Sequence, residues 1–318
     1  MRKTVIDIGT NTMLMLIAEF SQSTQTVNTI LDLQQIPRLG RDIHKNGYIL
    51  PESVKKGIEI LKNYKQTSQT HNSENITATA TSFIRDASNK TEFISSVKEQ
   101  SGIDIEILSG DGEAKWTFIG GNYDKLQVTG DKLQVCNIDI GGGSTEITTG
   151  NIGDCKNLKE LITLPVKKKS INIGAVRVKE KFFNSIPPEP NEIKPAEDFV
   201  YAALNEIDFD VKNSSLTGVA GTATTLAAIK LGLNKFVSEK VDKIILDISE
   251  IFNIFNKLQK YSLDELIAIG DYMPGRADIL IPGILILNSF MKKFGFKKIN
   301  ISTKGLRYGI FLREVVSL

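Results

Sequence analysis

One pattern occurs twice in this chain and constrains its fold more than any other. Ile6-Asp7-Ile8-Gly9-Thr10-Asn11-Thr12 stands near the start, and Ile138-Asp139-Ile140-Gly141-Gly142-Gly143-Ser144-Thr145 opens the second half. In each copy an apolar strand carries an Asp, turns on Gly and continues into hydroxyl or amide residues. Gly permits positive φ and close approach of the backbone, so successive N–H groups can converge on an anion. Thr10, Thr12, Ser144 and Thr145 add hydroxyl donors, while Asp7 and Asp139 offer hard carboxylate oxygens for a cation such as Mg²⁺. A single copy is also what an ordinary strand connection looks like. Two copies predict a duplicated α/β chain, with one phosphate-holding loop from each half facing a shared cleft.

Size and charge bound the alternatives. At 318 residues the chain has room for about two domains. A formal net charge of +2 does not mark a general nucleic-acid binder, so a polyanion must be met by a local cluster. Lys167-Lys168-Lys169 with Arg177, Lys179 and Lys181 is that cluster, and a solvated charged face explains it equally well. Only His44 and His71 are present, which disfavours a Ser-His-Asp triad or a His-rich zinc site and turns the chemistry toward carboxylates with Mg²⁺ or Mn²⁺. Cys136 and Cys155 have no metal-ligand spacing and read as free thiols. No signal-peptide pattern precedes the first strand, and the apolar run Ile279 to Leu287 is broken by Pro282-Gly283, well short of the roughly 20 residues that span a bilayer. The expected location is cytoplasmic and no membrane partner is expected.

Along the chain, strands are predicted at Thr4 to Ile8, Leu14 to Glu19, Thr26 to Leu33, Asn75 to Thr81 and Ile103 to Leu108. Pro51 opens a helix, and Asn89 with Glu92 forms a capping-box start for another that ends at Gly102. In the second half, strands at Val135 to Ile140, Glu146 to Thr149 and Leu158 to Thr163 rebuild the opening meander. Lys125-Leu126-Gln127-Val128 recurs as Lys132-Leu133-Gln134-Val135, a hairpin or local duplication with no assigned function. Ser262 with Glu265 caps a helix, and Ala277 to Phe294 is helical in pattern, with a kink expected near Pro282. The predicted domains are 1–122 and 123–304, with the helix 305–318 returning to the first. Both Asp-Gly turns belong at the carboxyl ends of their strands, where α/β sheets bind ligands.

With these motifs in place, the chain resembles the exopolyphosphatase and guanosine pentaphosphate phosphohydrolase (Ppx/GppA) family, a branch of the actin, sugar-kinase and heat-shock ATPase superfamily. Beyond the two turns the likeness rests on Ala80-Thr81-Ser82-Phe83-Ile84-Arg85-Asp86-Ala87, Ser109-Gly110-Asp111-Gly112-Glu113-Ala114, Gly174-Ala175-Val176-Arg177, Ala220-Gly221-Thr222 and Pro282-Gly283. The resemblance implies an actin-like, ribonuclease H-like α/β fold of two similar domains. It implies a Mg²⁺-dependent phosphoanhydride hydrolase, acting on inorganic polyphosphate or on guanosine pentaphosphate, and a homodimer by analogy. Glu113 aligns with the family's catalytic Glu, which orients or deprotonates water. Arg85 takes the role of phosphate clamp. Gly9, Thr10, Asn11, Thr12, Gly141, Gly142, Gly143, Ser144, Thr145, Gly221 and Thr222 would contact phosphate, and Asp7, Asp139 and Glu146 the metal.

The residues alone leave other roles open. A first-turn Glu113 complements a helix dipole, Arg85 suits a surface ion pair with Asp86 or Glu92, and Glu146 suits an outward-facing strand position. The chain also departs from the family pattern. Leu14 stands where a basic or imidazole residue is usual, Gly112 replaces one of an acidic pair, and Tyr308 replaces an acid. The missing carboxylate at Gly112 keeps a non-hydrolytic phosphate or nucleotide sensor as an alternative.

Overall fold

The computed structural model describes residues 1–73, 75–126 and 133–316. Its contacts divide the chain into two compact units, one of Met1–Val128, Cys155–Leu164 and Leu306–Leu318, the other of Thr129–Asp154 and Pro165–Gly305. The division expected after residue 122 falls after 128, and residues 155–164, expected in the second domain, belong to the first unit. In the repeated Lys-Leu-Gln-Val segment, residues 127–132 lie outside the described residues.

The first unit contains β1 (Arg2–Ile8), β2 (Met13–Ser21), β3 (Thr26–Gln35), β4 (Ile76–Ala80) and β5 (Ile105–Ile107), in the sheet order β3-β2-β1-β4-β5. β1, β2 and β3 form an antiparallel meander, while β4 and β5 join parallel. The second unit contains β6 (Gln134–Ile140), β7 (Thr145–Asn151), β8 (Lys167–Ile171), β9 (Ser215–Val219), β10 (Ile245–Asp247) and β11 (Lys298–Ile301). Read from its meander, the order β8-β7-β6-β9-β11 repeats the first unit, with β10 added antiparallel at the edge. Central strands must be apolar on both faces, and β1 buries Val5, Ile6 and Ile8 completely. Ile6, Ile8, Met13, Met15 and Ile17 share one core with Phe83 and Phe93, and Ile138, Ile140, Ile147 and Ile171 share the other with Leu226, Ile284 and Phe290.

Two local expectations are corrected. Leu158–Thr163 is a helix, because Leu158, Leu161 and Ile162 bury at helical spacing and the Asn157 side chain accepts the Glu160 N–H at 2.9 Å. The third meander strand is instead β8, the lysine run, an edge strand in which Lys168 and Lys169 are half-buried. Asn89 does precede the helix Lys90–Ser101, which ends at Gly102, but its side chain makes no cap. It accepts the Ile49 N–H and donates to the Ile49 carbonyl instead, at 2.9 and 3.0 Å. The box at Ser262 and Glu265 forms as expected. The helix Ala277–Phe294 runs unbroken through Pro282. Among the described residues no helix is long and apolar enough to cross a membrane.

The C-terminal helix Leu306–Val315 closes the first unit. Arg307 grips Asp32 with two bonds, Nε to Oδ1 at 2.9 Å and a terminal nitrogen to Oδ2 at 2.7 Å. Burial alone would lower the Arg307 pKa, but the Asp32 carboxylate outweighs it and the pKa is raised. Tyr308 bonds Thr29 at 2.9 Å and stacks on Tyr123. An acid at this position would place a second carboxylate beside Asp32, whereas tyrosine, its pKa raised by burial, remains a neutral donor. Gly309 lies so close to the Trp116 carbonyl that a Cβ there would overlap it, which fixes how this helix crosses the helix Gly110–Asn122. Gly309→Ala is therefore expected to destabilise the protein by about 1–3 kcal/mol, read from urea unfolding with Trp116 emission. An unchanged midpoint would contradict the contact.

Candidate active site

In the first unit the carboxyl ends of β1, β4 and β5 converge. The turn after β1 is closed by the Gly9 N–H on the Thr12 carbonyl at 2.9 Å. The Thr10 hydroxyl meets the Ser82 hydroxyl at 3.0 Å, where the short helix Ser82–Asp86 leaves β4. After β5, the Ser109 side chain caps the helix Gly110–Asn122 by accepting the Gly112 N–H, and that helix buries Glu113. Arg85 reaches across from the β4 side. Its Nη1 donates to Glu113 Oε2 at 2.9 Å and to the Leu108 carbonyl at 2.8 Å. The two predicted catalytic residues thus form one ion pair, and Arg85 pairs with Glu113 instead of Asp86 or Glu92.

The second unit repeats the turn. Gly141 N–H closes it on the Ser144 carbonyl at 3.0 Å. The carbonyls of this turn are bonded by the start of the helix Ala175–Phe182: Ala175 N–H to Gly141, and Val176 and Arg177 N–H to Gly142, at 2.9 to 3.1 Å. The N–H groups of Gly142, Gly143 and Ser144 meet no acceptor among the described residues. These are the donors an anion would use. The expected hydroxyl of Thr145 is buried and donates to the Ile173 carbonyl, so its proton already serves to hold the strand. Nor do the turn glycines use positive φ, which occurs at Gly47, Gly102, Gly232, Gly275 and Gly295. They provide space instead: Gly174 packs on the Gly142 carbonyl so tightly that any Cβ would overlap it.

Gly221 and Thr222 lie in the first turn of the helix Ala220–Lys230, directly after β9. Ala220 takes φ 61°, a left-handed conformation costly for a residue with a side chain. A Cβ on Gly221 would sit 3.9 Å from an Arg276 nitrogen, and the same nitrogen donates to Thr225 Oγ1 at 3.1 Å. Arg276 is buried, and its Nε meets no partner among the described residues. Burial pushes this guanidinium down to about 10, and the nearby Tyr272 offsets only part of that.

The metal candidates divide between the units. Asp139 on β6 stands directly opposite Glu146 on β7, so both leave the same sheet face. Like charges so placed repel unless a cation or proton stands between them. Glu146 is buried and accepts from Ser170 Oγ at 2.6 Å, so it is not an outward-facing strand residue. Among the described residues no group of three His, Cys, Asp or Glu side chains converges. Two carboxylates are hard oxygen donors that fit Mg²⁺ or Mn²⁺, which keep much of their shell as water and phosphate oxygen. Asp7 holds the same position on β1, but its opposite residue on β2 is Leu14.

A model of the Ppx/GppA phosphatase family matches residues 16–318. The chain belongs to this family. As a Ppx/GppA member it is similar to the bifunctional 3-dehydroquinate synthase/phosphatase of Fusobacterium nucleatum, 34% identical over 98% of this chain and 46% of that protein. It is similar to exopolyphosphatase 2 of Mycobacterium tuberculosis, 25% identical over 98% of both. The Aquifex aeolicus PPX-GPPA enzyme superposes with a TM-score of 0.79 and 28% identity, over 98% of this chain and 99% of that one. The chain thus spans under half of the first relative and nearly all of the other two. The actin-like α/β fold of the Ppx/GppA proteins is the fold found here.

Two residues of the site were not legible beforehand. Arg38, at φ 58°, donates its N–H to the Asn11 carbonyl at 3.1 Å, and Arg276 lies far in sequence from the turn it adjoins. Neither belongs to a local motif, although an Arg beside a Pro-Gly turn was visible in Pro274-Gly275-Arg276. A buried, under-bonded cation costs stability. Because its pKa is lower folded than unfolded, the penalty is fully present at neutral pH and is relieved as pH rises above about 10. Arg276→Leu is therefore expected to stabilise the protein at pH 7 by about 1–3 kcal/mol in urea unfolding. Lower stability in that variant would show that the guanidinium is better solvated than this geometry allows.

Proposed function

We propose that this chain hydrolyses the terminal phosphoanhydride of inorganic polyphosphate. The observation that carries the reading is the Arg85–Glu113 pair, two residues of the chemistry expected for water activation and phosphate clamping, bonded at 2.9 Å beside the carboxyl ends of three strands. In this reading Glu113 orients the attacking water and takes up its proton, held in place by Arg85. In the first unit the remaining guanidinium N–H groups of Arg85 bind phosphoryl oxygens, and in the second the N–H groups of Gly142, Gly143 and Ser144 make a phosphate-binding turn of their own. Asp139 and Glu146, with Asp7 as the first-unit counterpart, would hold Mg²⁺ or Mn²⁺. The chemistry a bound ion supplies there is neutralisation of phosphate charge. Arg276 beside Gly221 adds fixed positive charge at the third turn.

The similarity to exopolyphosphatase 2 over the full length of both chains supports polyphosphate as the substrate. So does β8, where Lys168 shares the sheet face of Glu146 and Ser170 and gives a polyanion a basic path. Phosphate release is the test, measured with short and long polyphosphates, guanosine pentaphosphate and ATP, in Mg²⁺ and in Mn²⁺. Release from polyphosphate is expected, reduced about 10²–10⁴-fold in Glu113→Gln. Undiminished turnover in that variant would remove Glu113 from the mechanism. Release from guanosine pentaphosphate alone would make the nucleotide the substrate, and tight binding without release in either metal would make the protein a sensor.

A further inference from the structure

A peptide group is planar, so its carbonyl and the following N–H point in opposite directions. Fixing one fixes the other. In the Gly141–Ser144 turn the Gly141 carbonyl is held by the Ala175 N–H, which sends the Gly142 N–H the opposite way, and the Gly142 carbonyl is held by Val176 and Arg177 N–H, which does the same for Gly143. Those anchors come from the first turn of a helix, whose N–H groups need acceptors in any case. They are independent of side-chain identity. The next carbonyl, that of Gly143, is bonded by a side chain: Arg177 Nε donates to it at 2.9 Å. This bond sets the direction of the Ser144 N–H.

Gly142 and Gly143 have no Cβ to resist a peptide flip. A flip of the Gly143–Ser144 peptide would replace a donor facing the anion by a carbonyl oxygen. The first unit solves the same problem differently: the Thr10 carbonyl is bonded by the Gly40 N–H at 2.8 Å and the Asn11 carbonyl by the Arg38 N–H at 3.1 Å, both through backbone. The side-chain anchor is particular to the second turn.

We propose that Arg177 is a positioning residue, which holds the Gly143 carbonyl away from the bound phosphate so that three successive N–H groups face it. The proposal rests on the reading of this turn as a phosphate holder. It removes Arg177 from the basic cluster that meets the polyanion directly, and it separates two properties of arginine that substitution can tell apart. Glutamine carries its Nε2 donor at the same distance along the side chain as arginine carries Nε, without the charge. Lysine keeps the charge but places a methylene there.

The experiment compares Arg177→Gln and Arg177→Lys in the full chain, using inorganic phosphate as the probe. Measurements are unfolding midpoints, phosphate affinity, kcat and KM for polyphosphate, and the ¹⁵N amide signals of Gly142, Gly143 and Ser144. Arg177→Gln is expected to keep phosphate affinity within about threefold and a single Ser144 amide signal. Arg177→Lys is expected to lose about tenfold in affinity, to raise KM more than it lowers kcat, and to broaden or split the Ser144 signal at an unchanged unfolding midpoint. The reverse order, with lysine preserving affinity and glutamine losing it, would overturn the proposal in favour of a charge role. A lowered midpoint with a single Ser144 signal would overturn it in favour of general stability. Failure of the underlying reading looks different: phosphate would leave the three amide signals of the wild type unmoved.

Discussion

In both turns the peptide carbonyls are bonded from one side, which directs the N–H groups of the same planar peptides to the other. A loose carbonyl beside a phosphate repels it, and a buried carbonyl without a donor costs free energy of its own. The fold answers by placing donors behind each turn. In the first unit these are the backbone N–H groups of Arg38 and Gly40, on the segment after β3, with Arg38 in a left-handed conformation. In the second they are a helix N-terminus and one guanidinium. Gly174 matters for the same reason: only a residue without Cβ lets the helix start come close enough to the Gly142 carbonyl.

The two units share strand order and turn geometry yet differ in chemistry. Asp7 and Asp139 occupy equivalent positions, but Leu14 faces the first and Glu146 the second, so a carboxylate pair exists in one unit alone. The ion pair of Arg85 with Glu113 belongs to the other unit. A shared frame thus carries different side chains at matched positions. The parallel placement of β4 between β1 and β5 explains why residues of separate motifs meet, since parallel strands bring their carboxyl ends, and the loops that follow, to one edge.

Much of this was legible in the sequence, and the exceptions have physical causes. The repeated turns, the Ser262 cap and the helix Ala277–Phe294 depend on local pattern, which a sequence carries openly. Leu158–Thr163 misled because a six-residue apolar segment has too few positions to separate a period of two from one of 3.6. β8 was hidden by its lysines: an edge strand tolerates charge that a central strand cannot. Asn89 had the right residue type for a cap, but Ile49 took both its amide groups, a partner forty residues away that no local motif announces. Of the two properties of glycine expected to matter at these turns, positive φ is not used at Gly9 and Gly141, whereas close approach is, a Cβ there lying 3.0 Å from the Thr12 carbonyl oxygen and 3.1 Å from that of Ser144.

Among the described residues seven without glycine's freedom take a left-handed backbone, and two of them, Arg38 and Ala220, lie at the turns, with the under-bonded Arg276 beside the third. Ala220 is held in a left-handed conformation where the third turn begins, Arg38 where the first is anchored, and Arg276 keeps a charge in a place that burial penalises. Each would be easier to satisfy with glycine or an apolar residue if packing alone decided. An anion at the third turn would change the balance for Arg276, because its negative charge returns to the guanidinium the electrostatic stabilisation that burial removed. On that reading, the stability that burial of Arg276 gives up in the free protein would be recovered on anion binding.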